Sequence, residues 1–459
     1  VLPAVAGRAR ALDELRLPPV KQVALENGLR VLVAEHHELP LVELYLIIGA
    51  GSAQDPAGKE GVAALTAGSL HRGAAGRSAE EIALAIESLG GRIDVGAGTD
   101  GTIASAEFLS KDLDAGIALL REILLEPDFA RDEIRRARDE QLAGIVADLE
   151  NTSRVADKCF SSFLYGDHAY GRPSEGRSAT VAKLGRGDVR DYWERWYRPN
   201  NTILVLVGDV NTEAAIGLLR RAFGGWAPRP DAVPVRIPAP RPIAERRILL
   251  VDKADATQTQ IRFGNIAIPR NHPDYVAAQV GNTILGGGFT SRLIEELRVK
   301  RSLTYSAWSQ FAARLVGGDF RVGTFTKSPT TAETLALALD VEGAFRKGPP
   351  PAAALAKAKT YLVGQYPLKV ESPDALAARL AEITFNELPR DELQTYRSRV
   401  AAVTAKEVAA AASRHMPAPD RVAVVVVGRV AEVREQLQAR FGPIRTIDAR
   451  ECETLSARK

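Results

Sequence analysis

The sequence predicts an α+β fold built as two homologous halves, each a mixed, mostly antiparallel sheet with helices packed on one side. Three observations carry this. A proline-rich stretch divides the chain near its midpoint. Both flanks of that stretch end in the same strand–glycine–helix pattern. Strand-like and helix-like segments alternate within each flank.

The divider is "WAPRPDAVPVRIPAPRPIAER", residues 226–246, with prolines at 228, 230, 234, 238, 240 and 242. Repeated proline blocks helix and favours extended geometry. The expected layout is an N-terminal half over 1–226, a linker over 227–246 that would permit a hinge, and a C-terminal half over 247–459. The first half closes on "NTILVLVGDV" (201–210), a helical stretch and "RRAFGGW"; the second closes on "RVAVVVVGRV" (421–430), a helical stretch and "QARFGPI". Matching apolar strands that end in Gly208 and Gly428 indicate an internal repeat.

Within the first half, "GLRVLVAEH" (28–36) and "LVELYLIIGAGS" (41–52) read as strands. "SAEEIALAIESLGG" reads as a helix, with Ser78 as cap, Glu81 three residues on and Gly90 at the end. "DGTIASAEFL" is a strand and "LDAGIALLREILLEP" a helix. "DEIRRARDEQLAGIVADLE" (132–150) is a long amphipathic helix with Ile134, Ala137, Leu142 and Ile145 near one face.

Composition narrows the function classes. The chain has 459 residues, 46% hydrophobic and 25% charged, a globular composition too long for one ordinary core. Sixty basic and 57 acidic residues leave a net charge of +3, so neither nucleic acid nor an anionic membrane is implied. No apolar run reaches the ~18 residues of a membrane span. Cys159 and Cys452 stand about 300 positions apart and read as two unpaired thiols rather than a disulfide framework or a zinc site. The start "VLPAVAG", without an initiator Met, is compatible with a cleaved secretory signal, so a periplasmic location is expected, with the cytoplasm as the alternative.

One stretch has the frame of a metal site and none of its ligands. "GVAALTAG" (61–68) follows "LVELYLIIGAGSAQDPAGKE". In this arrangement of strand and helix the chain resembles the pitrilysin family of inverted-motif zinc peptidases, which includes insulin-degrading enzyme and the mitochondrial processing peptidase. That family carries His-x-x-Glu-His here: two His four apart on a helix face hold Zn²⁺, and the Glu acts on water. The resemblance places the first His at Ala64, the Glu at Ala67, the second His at Gly68 and a third, distant Glu ligand at Gly144. Ala and Gly offer no lone pair, so no metal is expected in this chain. His71 and "EHHE" (35–38) are not substitutes. His71 has no ligand partner at helical spacing, and adjacent side chains on a strand diverge.

The second half contains "QVGNTILGGGFTSRLIEELRVKRSLTYSAWSQF" (279–311). Gly286, Gly287 and Gly288 let the backbone turn and approach a ligand closely. On their own they equally fit a plain helix-to-helix turn, and no Gly-Lys-Ser/Thr follows to make a phosphate loop. Arg298 and Tyr305, taken alone, are an ordinary exposed arginine and a packed tyrosine. The resemblance gives them more. The family's second half carries "L-R-x-K-x-x-x-x-Y", which falls on Leu297, Arg298, Lys300 and Tyr305, and there the Arg/Tyr pair reaches the zinc site of a facing half. A guanidinium and a phenol can donate hydrogen bonds to a peptide carbonyl and stabilise the oxyanion that forms on attack. Arg301 is the competing arginine.

A chain without zinc ligands that retains the Arg/Tyr pair is complete only beside a second chain. The expectation is a heterodimer in which a homologous His-x-x-Glu-His partner holds the zinc and this chain supplies Arg298 and Tyr305, with Gly286–Gly288 binding peptide substrate and neither chain active alone. Two other roles compete. One is a scaffold or peptide-binding protein, as in respiratory-complex core subunits of the same fold. The other is presequence recognition, for which the short glycine loop is less suited. "GGDFRVGTFTKS" (317–328) is the candidate edge strand for an added substrate strand.

Overall fold

The computed structural model describes residues 17–231 and 237–455. The "VLPAVAG" start and the middle of the linker, 232–236, lie outside these described residues. The chain forms two six-stranded sheets. The first contains β1 (Val20–Ala24), β2 (Arg30–Glu35), β3 (Leu41–Ile48), β6 (Arg92–Ala97), β7 (Thr102–Leu109) and β8 (Thr202–Gly208). Between β3 and β6 lies a small ribbon of β4 (Gly73–Ala74) and β5 (Arg77–Ser78). The second sheet contains β9 (Arg247–Asp252), β10 (Thr259–Ala267), β11 (Ala307–Ala313), β12 (Gly318–Thr326), β13 (Ala423–Gly428) and β14 (Arg445–Asp448).

The strand orders are β1-β2-β8-β3-β7-β6 and β11-β12-β10-β13-β9-β14. Read from opposite ends, five positions coincide: β2 with β9, β8 with β13, β3 with β10, β7 with β12 and β6 with β11. Most neighbours pair antiparallel. The parallel pairs are β2 with β8, β9 with β13 and β9 with β14. The two-half α+β reading therefore holds, and the apolar strands that suggested a repeat, β8 and β13, occupy the same place in each sheet.

Local signals placed the elements well. Ser78 accepts the Glu81 amide at 3.2 Å and the Glu81 carboxylate accepts the Ser78 amide at 2.8 Å, a capping box that starts helix Ala79–Ser88. The helix ends before Gly90, whose φ of 57° is costly for other residues. Helix Arg131–Asp148 buries Ile134, Ala137 and Ile145 on one face.

Each half packs its own helices on one face of its sheet. The other face receives a helix from the opposite half. Helix Pro373–Phe385 of the second half lays Leu376, Ala377, Leu380, Ala381 and Ile383 against Leu32, Ala34, Ile47, Ile203, Val205 and Val207 of the first sheet. Helix Thr152–Tyr165 of the first half lays Val155, Ala156, Phe160 and Leu164 against Leu249, Val251, Val425 and Val427 of the second. Polar contacts fix the second crossing: Tyr165 donates to buried Asp319 at 2.9 Å, and Arg262 donates to Asp157 at 2.7 Å and to Ser153 at 2.7 Å.

Two sequence expectations are overturned here. Cys159 and Cys452 are not unpaired thiols: they form a disulfide with Cα atoms 5.0 Å apart. The crossing helix brings Cys159 to the second sheet, where the C-terminal 449–454 turn packs, so distance along the chain says nothing of distance in space. Residues 317–328 are not an edge. β12 lies between β11 and β10, and its backbone pairs on both sides. The edge strand on that side is β11.

Candidate functional site

Helix Val62–Ser69 begins under Asp55, whose carboxylate accepts the amides of Gly61 at 2.6 Å and Ala63 at 3.0 Å. Burial pushes the Asp55 carboxyl up to about 7, against those two hydrogen bonds. The helix packs beside Arg131–Asp148, tied by Gln141 donating to the Gly61 carbonyl at 3.1 Å and by an Arg72–Glu140 ion pair. The two helices on which the family resemblance places a metal site are thus held side by side.

Its donor atoms are missing. Ala67 is buried, Ala64 half-buried, and Gly68 and Gly144 are partly or fully accessible. A Cβ added at Gly68 or Gly144 would meet nothing within 4 Å. Neither glycine is demanded by close packing at the Cβ position, while the chemistry is absent. These four residues do not fit a zinc ion. His71 is exposed on the turn that follows, and His37 bridges Glu35 at 3.3 Å and Asp209 at 2.7 Å on the surface.

Among the described residues a single group of three metal-ligating side chains converges: His272, Asp274 and His415. Sequence reading missed it because His415 stands far along the chain from the other two. Arg414 at 3.1 Å and His415 at 2.7 Å both hold the same Asp274 oxygen, so this carboxylate is already neutralised as an ion-pair network.

The second half builds a different site. Helix Tyr275–Leu285 ends at the three glycines, where the amides of Gly286 and Gly287 both donate to the Asn282 carbonyl at 2.8 Å. A Cβ at Gly286 would lie 2.4 Å from the Ser309 amide nitrogen on β11, so glycine is needed there for close approach. Gly288 faces open space, and Phe289 beyond it is 87% exposed.

The chain then enters a π-helical stretch, Ile294–Val299, a wide turn that is uncommon in ordinary helices. Leu297 is fully buried and Arg298 beside it is exposed. Ser302, at φ 52°, turns the chain back, and the Leu303 amide donates to the Leu297 carbonyl at 2.8 Å. Thr326 donates to the Leu303 carbonyl at 2.7 Å and Thr324 to the Ser306 carbonyl at 2.9 Å, which fixes the backbone on both sides of Tyr305. The phenol ring itself is 75% exposed.

Arg298 and Tyr305 line one cleft of about 500 Å³, together with Gln258, Arg301, Phe325 and Lys327. Arg301 is engaged by Glu296 at 2.9 Å, whereas Arg298 has no ion pair among the described residues. Among the described residues no carboxylate lines the cleft. Its free donors are suited to an oxygen that carries or develops negative charge. Gln258 and Lys327 come from distant positions, and no local motif could have announced them.

The fold and sequence also have known counterparts. Residues 30–176 match the family model for insulinase (peptidase family M16), and residues 183–362 match the peptidase M16 inactive domain. A crystal structure described as a peptidase M16 inactive domain from Pseudomonas fluorescens superposes with a TM-score of 0.84 at 30% identity, covering 89% of this chain and 98% of that one. An uncharacterized zinc protease of Mycobacterium tuberculosis is 26% identical over 435 residues, covering 92% of this chain and 97% of that protein. A Helicobacter pylori protein named as a non-peptidase homolog is 24% identical over 386 residues, 82% of this chain and 87% of that protein. No helix among the described residues is long and apolar enough to cross a membrane.

Proposed function

The chain belongs to the M16 peptidase family, and from that membership we propose that it is the non-zinc-binding subunit of a heterodimeric zinc peptidase. One observation carries the reading. The helices that would frame a metal carry Ala64, Ala67, Gly68 and Gly144 at the ligand positions, while Arg298 and Tyr305 open with free donors into a solvent cleft. The zinc belongs to a homologous partner with His-x-x-Glu-His. This chain contributes Arg298 and Tyr305, which bind the carbonyl oxygen of the scissile peptide and stabilise its developing negative charge. Gly286–Gly288 shape the adjoining substrate surface. Peptide hydrolysis takes place in the complex and not in the chain alone.

Purification from native cells with mass spectrometry and zinc analysis tests this first. A stoichiometric partner bearing the motif, with about one zinc per pair, supports it. A chain that cleaves peptides alone in a zinc-dependent way sinks it. The second reading is a scaffold or peptide-binding role, favoured by the name of the Helicobacter pylori relative. An Arg298→Ala complex that assembles and turns over normally would decide for that role.

We also propose an exported, periplasmic location rather than a cytoplasmic one. The Cys159–Cys452 pairing supports it, since disulfides persist in oxidising compartments.

A further inference from the structure

A second groove, of about 340 Å³, opens at the other end of the segment that carries Arg298. Its walls come from the glycine loop and from helix Ala352–Gln365, and include Ile284, Phe289, Arg292, Lys357, Ala358 and Tyr361. Two features set it apart from ordinary surface. The first is apolar exposure. Phe289 is 87% exposed at the loop apex and Tyr361 is 43% exposed across from it. Single exposed apolar residues are common, but here two aromatic rings line one concave site.

The second is uncompensated positive charge. Arg292 is half-buried, with its guanidinium 4.9 Å over the Phe345 ring. Desolvation lowers its pKa, and no carboxylate offsets the effect. Among the described residues the Arg292 guanidinium makes neither an ion pair nor a hydrogen bond, and Lys357 makes no ion pair. No acidic side chain among the described residues lines the groove. Other buried or half-buried arginines, Arg72, Arg262, Arg270 and Arg379, all meet carboxylates. With a net charge of only +3, the chain exerts no general positive field that would explain the local excess.

We propose that this groove holds a peptide segment in which a large apolar side chain neighbours a carboxylate. The apolar group lies between Phe289 and Tyr361, and the carboxylate meets Arg292 and Lys357. A guanidinium fork matches a carboxylate in two hydrogen bonds, and the aromatic walls exclude water around them. The carboxylate is either an internal Asp or Glu side chain or the C-terminus of the peptide. The inference rests on the peptidase-subunit reading only for the source of the peptide, and it adds a substrate class to that reading.

Fluorescence anisotropy of the purified chain with three short labelled peptides tests it. One has an internal Phe-Glu and an amidated end, the second has Phe-Gln and an amidated end, and the third ends in Phe with a free carboxylate and has no other acid. The expected result is that the first or the third binds about tenfold or more tightly than the second; which one does so identifies the source of the carboxylate. Phe289→Ala and Lys357→Gln should each weaken that binding about fivefold. Both side chains are exposed, so neither change threatens folding. Equal affinity for all three peptides, or binding indifferent to both substitutions, overturns the proposal. The readout needs no partner, zinc or turnover, so its failure would leave the roles of Arg298 and Tyr305 untouched, and loss of those roles would leave this result standing.

Discussion

Arg298 and Tyr305 line the same cleft from either side of the Ser302 turn, while Arg301 between them is paired with Glu296. The two arginines should therefore behave differently in the assembled peptidase. Arg298→Ala is expected to lower kcat by about 100- to 1,000-fold, the cost of removing one oxyanion donor. Arg301→Ala should change it less than about threefold, and Tyr305→Phe should lower kcat more than it raises KM. Steady-state kinetics of the reconstituted pair, with assembly checked by gel filtration, separates these outcomes. An Arg301 effect equal to that of Arg298 would reassign the pair.

The vacant positions on the two framing helices invite reconstruction. A Cβ at Gly68 or Gly144 meets nothing within 4 Å. The triple variant Ala64→His, Gly68→His, Gly144→Glu should bind about one zinc per chain, with two His and one Glu as ligands. Elemental analysis after dialysis reads this directly, with the unmodified chain as the blank. A triple variant that folds with the same circular dichroism and holds no zinc would show that the helices are not in the geometry inferred for them.

The disulfide makes a thermal prediction. It closes a loop of 293 residues, and the chain-entropy estimate for so long a loop is on the order of 5 kcal/mol. For a protein of this length that corresponds to a Tm loss of about 5 °C. Cys159→Ser, or full reduction, should show it by calorimetry. Thiol trapping in intact cells should find neither cysteine free, and a labelled Cys452 would count against the exported location.

Two buried carboxyls set a pH dependence. Burial, with repulsion from Glu107 second, pushes Glu43 up to about 8; burial pushes Glu342 up to about 8, against the nearby Arg346. Glu43 Oε2 and both Glu342 oxygens lack hydrogen-bond partners among the described residues. A raised folded pKa means that the folded state holds the proton more tightly. The resulting stability is complete below about pH 4.5 and is lost as pH rises through about 8. Tm should fall over that window, and Glu43→Gln with Glu342→Gln should flatten the fall.

Much of the fold was legible because it is written locally. Ser78 and Glu81 announce a helix start within four residues, and the apolar strands before Gly208 and Gly428 announce the repeat. What the sequence hid is non-local. Nothing in "TSRVADKCFSSFLY" says that this helix serves the other half's sheet, and without that crossing Cys159 has no visible partner. β12 looked like an edge because its Gly, Phe and Thr suit one, yet the edge went to β11, whose position depends on the glycine turn at Gly286. Within the candidate site, resemblance to the pitrilysin-family motif nominated Arg298 and Tyr305. It could not foresee Gln258, Lys327 or the ion pair that occupies Arg301.

The exchanged helices also bear on how a substrate gets in. Pulling the halves apart would strip Leu376, Leu380 and Ile383 from one sheet and Val155, Phe160 and Leu164 from the other. At about 1.5–3 kcal/mol for each of these six side chains, this motion costs roughly as much as a whole domain has in stability. The chain is thus a single rigid jaw, whatever its linker allows. In a two-chain peptidase the mouth lies between the subunits, and admission of substrate becomes a matter of how often the partners part. Activity should then respond to enzyme dilution and to cross-links between chains, and be indifferent to a cross-link between the halves of one chain.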